Sequence, residues 1–277
     1  MRIGLDSYSY HLAFGTHTHF HTSRPLDLFG FMEKLAEYGL QGFQIDPLHL
    51  KSTDREYLVA LREAIEEQGL FVEVGIMRAS ARAIEEGVAV CSQLGANVLR
   101  TFLGFDRFHA GTSVSGELAV AREQLASCVQ MLEQSRIRLA IENHGDVTST
   151  ELVDLVEAIS SSNVGICLDV GNSLCVLEDP VEAVKRMIPF AFSTHFKDMT
   201  VVGTDSGCKI VGVALGTGVL PLDEMYSIIQ EEGDLDRLIL EVPVEARHGE
   251  KQSLEWEDHC VRQSIEFCRN KLMVGTL

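Results

Sequence analysis

The sequence predicts an α/β protein, a (β/α)8 TIM barrel formed as a single domain over residues 1–277. Three observations carry that expectation. Short apolar runs alternate with amphipathic helical stretches through eight successive units, with no Pro/Gly/Ser-rich linker between them. The runs are rich in Leu, Ile, Val and Phe throughout, as expected for parallel strands buried on both faces. Four of them stop abruptly at an acid or an imidazole: Leu139-Ala140-Ile141-Glu142, Ile166-Cys167-Leu168-Asp169, Phe192-Ser193-Thr194-His195 and Leu238-Ile239-Leu240-Glu241. In parallel sheets, open or closed, the chemistry sits at the carboxyl ends of the strands.

Taken in order, Ile3 to Ser9 reads as the first strand, and an irregular loop leads to a helix over Pro25–Tyr38 stopped by Gly39. Leu40 to Asp46 is the second strand, followed by a helix over Asp54–Gln68 capped by Gly69. Leu70 to Ile76, a helix over Ala81–Leu94, and Asn97 to Phe102 come next. Ser115–Gln134 makes a long amphipathic helix before the strand Arg138–Glu142. Thr148 or Ser149 caps a helix over Thr150–Ile159, and Val164–Asp169 is the sixth strand. Pro180 opens a helix at its first turn, and Phe190–His195 is the seventh strand. After a longer excursion come the helix Leu222–Glu231, the strand Leu238–Val242 and a closing helix over Trp256–Arg269. An open doubly wound sheet is the alternative. Against it, Asp6-Ser7-Tyr8-Ser9-Tyr10-His11 follows the first strand where a Gly-rich phosphate loop would be needed.

Composition narrows the function. A formal net charge of −18 argues against nucleic acid and anionic membranes as partners, because both draw on clustered Lys and Arg. No apolar stretch reaches membrane-spanning length, and mean hydropathy is +0.08. Seven cysteines without a C-x-x-C pair read as reduced packing residues, and the chain begins in a strand pattern with no signal peptide. The expectation is a cytoplasmic protein acting on a small molecule.

Strand parity tests the candidate site. Ala140, Glu142 and His144 share one face, as do Gly165, Cys167 and Asp169, and Ala191, Ser193 and His195. Each set opposes larger apolar residues, Phe190 and Phe192 among them, which should meet the helices. Gly42, Gln44, Asp46 and Glu73 are inward by the same logic. Glu142, Asp169, His195 and Glu241 thus converge as a metal quartet. Three carboxylates and one imidazole suit Mn2+ or Mg2+, with Co2+ or Zn2+ also accommodated.

Glu142 in Ile-Glu-Asn-His, Asp169 in Leu-Asp-Val-Gly-Asn, His195 in Thr-His-Phe-Lys-Asp and Glu241 in Leu-Glu-Val resemble the ligand quartet of the xylose-isomerase-like barrel superfamily. That group includes sugar epimerases and isomerases, dehydratases of sugar-like acids and a nuclease branch. The resemblance covers the whole chain in strand order and implies a divalent metal on these four residues. It further implies that Glu142 and Glu241 act as catalytic proton-transfer groups on opposite faces of a small hydroxy-ketone. A metal-stabilised enediolate then leads to epimerisation or isomerisation. Two departures stand out: Asn172 occupies the place of an epimerase His, and Phe196 to Ser206 offers Lys197 but no Arg. These keep open a second expectation, a lyase (decarboxylase or dehydratase) acting on an oxo sugar acid.

A non-catalytic sugar-binding barrel is the third expectation; a nuclease is disfavoured by the acidic balance. Substrate contacts are expected from His144, Asn172, Lys197, Arg247 and His11. His17, His19 and His21 suggest a polar lid in preference to a second metal site. Arg100 ends the fourth strand with no role that the sequence settles. Barrels of this kind commonly form homo-oligomers, but nothing in the sequence fixes a subunit number.

Overall fold

A computed structural model of the chain describes residues 1–275; Thr276 and Leu277, the end of the predicted domain, lie outside the described residues. Eight parallel strands form one sheet. They are β1 (Arg2–Asp6), β2 (Gly42–Ile45), β3 (Phe71–Gly75), β4 (Val98–Thr101), β5 (Arg138–Glu142), β6 (Val164–Asp169), β7 (Ala191–His195) and β10 (Arg237–Leu240). In space they run in the order β10-β1-β2-β3-β4-β5-β6-β7. The ring closes where Phe196 bridges β10, its N–H donating to Ile239 O at 2.8 Å and its carbonyl accepting from Glu241 N at 3.1 Å. The predicted TIM barrel is the fold.

Helices α2 (Leu28–Glu37), α3 (Arg55–Glu67), α4 (Ala81–Leu94), α5 (Val114–Ser135), α6 (Ser149–Ile159), α7 (Pro180–Met187), α8 (Leu222–Glu232) and α9 (Glu250–Asn270) surround the sheet. Their ends follow local chemistry. Asp27 accepts from Gly30 N to start α2 three residues after the expected Pro25, and Thr148 forms a reciprocal capping box with Glu151. The buried outward residues of the strands, among them Leu5, Phe43, Leu99, Ile141, Leu168 and Leu240, pack with the helices into one continuous core. No helix among the described residues is long and apolar enough to cross a membrane.

Three features depart from expectation. The first strand stops at Asp6, whose carboxylate accepts from Tyr8 N and turns the chain into a 3-10 turn and a short helix, α1 (His11–Phe14). The excursion after β7 is a hairpin, β8 (Asp198–Thr204) with β9 (Gly207–Val213). Finally, β6 and β7 slip by one residue: Ile166 pairs with Ala191, but Cys167 pairs with Ser193. Phe192 is the extra residue of this bulge. Its ring therefore turns inward, against the parity expectation, and packs on Val98, Ala140 and Cys167.

Two phenylalanines thereby floor the barrel. Phe71 lies so close over Gly42 that a Cβ there would stand 2.3 Å from the ring, and Arg2 and Arg237 stack on Phe71 at 4.7 and 5.0 Å. Phe192 lies against Gly165 under Arg138 in the same way. The lower barrel is filled, so chemistry is confined to the upper end.

At that end the loop after β1 is tied to α9. Glu257 is fully buried; its Oε1 accepts from Leu12 N at 2.7 Å and its Oε2 from Ala13 N at 3.0 Å. Glu257→Gln would set an amide donor against one of these N–H groups. We expect it to lower stability by about 1–3 kcal/mol, measured by denaturant unfolding. Wild-type stability would show that this clamp contributes nothing.

Candidate metal centre

Glu142, Asp169, His195 and Glu241 meet above this floor, with one ligand atom from each lying within 4.8 Å of all the others, and all four are buried. β5, β6 and β7 end on the first three, and Glu241 follows β10 directly. His195 Nδ1 faces the group, 3.2 Å from Glu142 Oε1, 3.5 Å from Glu241 Oε2 and 3.7 Å from Asp169 Oδ2. His195 Nδ1, Asp169 Oδ2 and Glu241 Oε2 are buried without a well-directed hydrogen bond. Buried polar atoms are seldom left so. Two such carboxylate oxygens and an imidazole nitrogen, facing a third carboxylate on Glu142, are the donor set of a divalent ion, and the residues fit that group.

Surrounding groups fix the quartet. Asp169 Oδ1 accepts from Gly171 N and Asn172 N, both at 2.8 Å, leaving Oδ2 for the centre. The Asn143 amide brackets the Asp169 backbone with two 2.9 Å bonds, a role that parity does not reveal because β5 ends at Glu142. For the same reason His144 does not sit inward beside Glu142. It is exposed at the rim, stacked on Phe102 at 4.4 Å. Asn172 is brought in, donating to Glu142 Oε1 at 3.2 Å.

Two cations stand on the ligands. Lys197 is buried and lies 2.6 Å from Asp169 Oδ2 while also pairing with Glu241. Its neighbour Asp198 does not pair with it. Asp198 accepts from Gly216 N, Gly218 N and Leu220 N instead, holding the chain that follows the hairpin. Arg100, buried at the end of β4, grips Glu142 Oε2 through both Nε and Nη2.

The remaining expected contacts lie farther out or are engaged. His11 is buried, its Nδ1 donating to Tyr8 O at 2.9 Å, and stacked beneath Tyr8 at 4.7 Å. Burial lowers its pKa to about 4, so it is a neutral prop. Arg247 lies exposed on the Trp256 ring at 4.1 Å. His17 tilts against His11 at 5.3 Å; among the described residues the quartet is the one metal-competent cluster, and the histidine loop is not another. Beside the rim a cavity of about 340 Å³ opens among Arg78, Phe102, Arg107 and His144.

Electrostatics follow from burial opposed by charge. Burial disfavours ionised Glu142, but Arg100 and then His195 hold it well below the usual carboxylate range. Burial lifts Asp169 to about 6 despite Lys197. Burial disfavours the His195 cation as well, yet the surrounding anionic groups raise its pKa well above the ordinary value. In metal-free protein His195 is therefore protonated near neutrality and must give up a proton when an ion binds. Metal affinity should rise with pH, through about 6 as Asp169 ionises and further above the ordinary histidine range as His195 loses its proton. Competition titrations across that range, in two buffers of different ionisation enthalpy, measure the released protons; a flat profile would contradict the assignment.

Comparison with known proteins agrees with this architecture. A family described as xylose isomerase-like TIM barrel matches residues 32–270. The 3-oxo-isoapionate decarboxylase of Pectobacterium atrosepticum is 27% identical over 272 residues, 96% of this chain and 94% of that one. The structure of a D-psicose 3-epimerase, determined in the presence of D-fructose, superposes with a TM-score of 0.74 at 17% identity over 100% of both chains. The IolI protein with a bound zinc atom gives 0.74 at 15% identity, over 98% of this chain and 97% of that one.

Proposed function

The chain belongs to the xylose isomerase-like TIM barrel family, and we propose that it is a divalent-metal-dependent lyase that decarboxylates a small 3-oxo sugar acid. The observation that carries this reading is the commitment of Glu142: Arg100 takes Oε2 and Asn172 takes Oε1. Epimerisation by paired carboxylates requires each to gain and lose a proton at the substrate carbon. A carboxylate gripped on both oxygens and held well below its usual range is a poor member of such a pair. Loss of CO2 needs no base to start. The C–C bond to the carboxylate breaks, its electron pair enters the neighbouring carbonyl as an enolate, and one proton then closes the sequence at that carbon.

A bound divalent ion would supply Lewis-acid polarisation of the carbonyl and an adjacent hydroxyl oxygen. Glu142, Asp169, His195 and Glu241 would hold it, with Mn2+, Mg2+, Co2+ and Zn2+ all compatible with the donors. Lys197, kept cationic by Asp169 and Glu241, carries the proton for the final step at Nζ. Glu241 orients that ammonium. Arg100 and Lys197 together move the charge at the quartet two units toward positive, which suits an anionic acid better than a neutral ketose. The 27% identical decarboxylase supports the same direction.

A second reading keeps Glu142 and Glu241 as the acid–base pair of a ketose epimerase, and the 0.74 superposition on D-psicose 3-epimerase favours it. The deciding experiment loads purified protein with Mn2+ and offers straight and branched 3-oxo sugar acids and, separately, ketoses in deuterated water. CO2 release from an oxo acid supports the lyase. Deuterium entering a ketose at C3, with no CO2 from any acid, would replace it with the epimerase; tight ligand binding without either would point to a binding barrel.

A further inference from the structure

Below the quartet, a line of buried polar side chains crosses the barrel interior. Gln44 on β2, Glu73 on β3 and Ser193 on β7 are fully buried, and Arg237 on β10 nearly so. His195 Nε2 is 2.8 Å from Gln44 Oε1, and Gln44 Nε2 donates to Glu73 Oε2 at 2.9 Å. Ser193 Oγ donates to the same Glu73 oxygen at 2.6 Å, while Arg237 Nε stands 3.1 Å from Glu73 Oε1. Asp6 Oδ2 lies 3.3 Å from His195 Nε2 as a weaker second acceptor.

The direction of this line is forced by chemistry. An ionised carboxylate only accepts hydrogen bonds. Glu73 therefore fixes the Gln44 amide with its NH2 downward and its oxygen upward; the reverse would press two acceptors together at 2.9 Å. An upward oxygen requires His195 to carry hydrogen on Nε2. The proton that the ring gives up when an ion binds therefore leaves from Nδ1, whose lone pair faces Glu142, Asp169 and Glu241.

We infer that Glu73 and Gln44 are positioning residues that select the His195 tautomer able to ligate metal through Nδ1. The inference rests on the metal reading of the quartet and goes beyond it: a carboxylate that touches no ligand sets the protonation pattern of one. Metal-ligating histidines generally need such a partner, and removing it typically weakens metal binding by about 10–100-fold.

The test is Glu73→Gln. Arg237 would retain the oxygen of the new amide, leaving the amide nitrogen toward Gln44. Two facing donors would make the Gln44 amide turn over and point its NH2 at His195 Nε2, favouring hydrogen on Nδ1. The double variant Q44E/E73Q reverses the pair while keeping an acceptor toward His195 and the total charge. Zn2+ affinity by competition titration should fall at least tenfold in E73Q and return to the wild-type level or above in Q44E/E73Q. Nitrogen-15 spectra of histidine-labelled, Zn2+-loaded protein should show Nε2–H with metal on Nδ1 for His195 in wild type and the double variant, and lose that signature in E73Q. Should E73Q fold poorly, Gln44→Leu, which leaves only Asp6 as acceptor, carries the same expected loss of affinity. A merely structural role would lower thermal stability and leave affinity and tautomer unchanged, and that result would overturn the inference. Wild-type protein that takes up no Zn2+ would instead sink the metal reading itself, and this inference with it.

Discussion

Asp169→Asn is expected to abolish stoichiometric metal binding and to lower kcat/KM on the order of 10³-fold, the equivalent of several kcal/mol of lost charge stabilisation. The geometry explains why one oxygen matters so much. Asp169 Oδ1 is consumed by two backbone N–H groups, so Oδ2 alone reaches the centre. An asparagine keeping its oxygen on those N–H groups would turn its NH2 inward. A charged ligand atom is then replaced by a donor directed at a cation. Folding should survive, because Lys197 keeps Glu241 as its partner and one buried negative charge is gone. Stability provides a second readout. An ion that binds only the folded state stabilises it by about 2.7 kcal/mol at a hundredfold excess over Kd. The wild-type melting temperature should therefore climb with added Mn2+, and that of Asp169→Asn should stay flat. A variant that binds one ion as tightly as wild type would remove Asp169 from the centre.

The barrel and the quartet were legible because each rests on a periodic signal. Eight apolar runs with glycine-punctuated helices needed no long-range information, and Glu142, Asp169 and His195 are the last residues of their strands. Parity carried Gln44 and Glu73 into the interior for the same reason. It failed wherever the strand had ended or slipped. His144 lies beyond β5 and is free of its alternation, whereas Phe192 is turned inward by the bulge opposite Cys167. Arg100 is a different case. Its partner Glu142 is 42 residues away, and nothing local distinguishes a guanidinium folded into a barrel from one reaching solvent. Residue types that complete a site from a neighbouring strand leave no pattern along the chain. The position of Arg100, one strand from Glu142 in register with Ala140, becomes visible only once the sheet order is known.

Arg100→Met should be the most destabilising single change at the site, costing about 3–5 kcal/mol at neutral pH because it leaves the buried Glu142 carboxylate without its counter-charge. The pH dependence gives the cause away. In wild type the Glu142 pKa is depressed, so its contribution to stability is present above the ordinary carboxylate range and fades as pH falls through the folded value. Removing Arg100 takes away the largest opposing charge and raises that pKa, so the variant's deficit should shrink as pH falls into the carboxylate range and grow as pH rises. Arg100→Met/Glu142→Gln should recover much of the loss, and the double-mutant cycle would return the coupling of the pair. An Arg100→Met protein with wild-type stability and an unaltered pH profile would show that the pair is not formed in solution. The same variant weighs the two chemistries. If Arg100 is what withdraws Glu142 from proton transfer, releasing it should raise deuterium exchange into a ketose while CO2 release from an oxo acid falls. Were both to fall together, Arg100 would act by binding the substrate or supporting the fold, and the commitment of Glu142 would no longer separate lyase from epimerase.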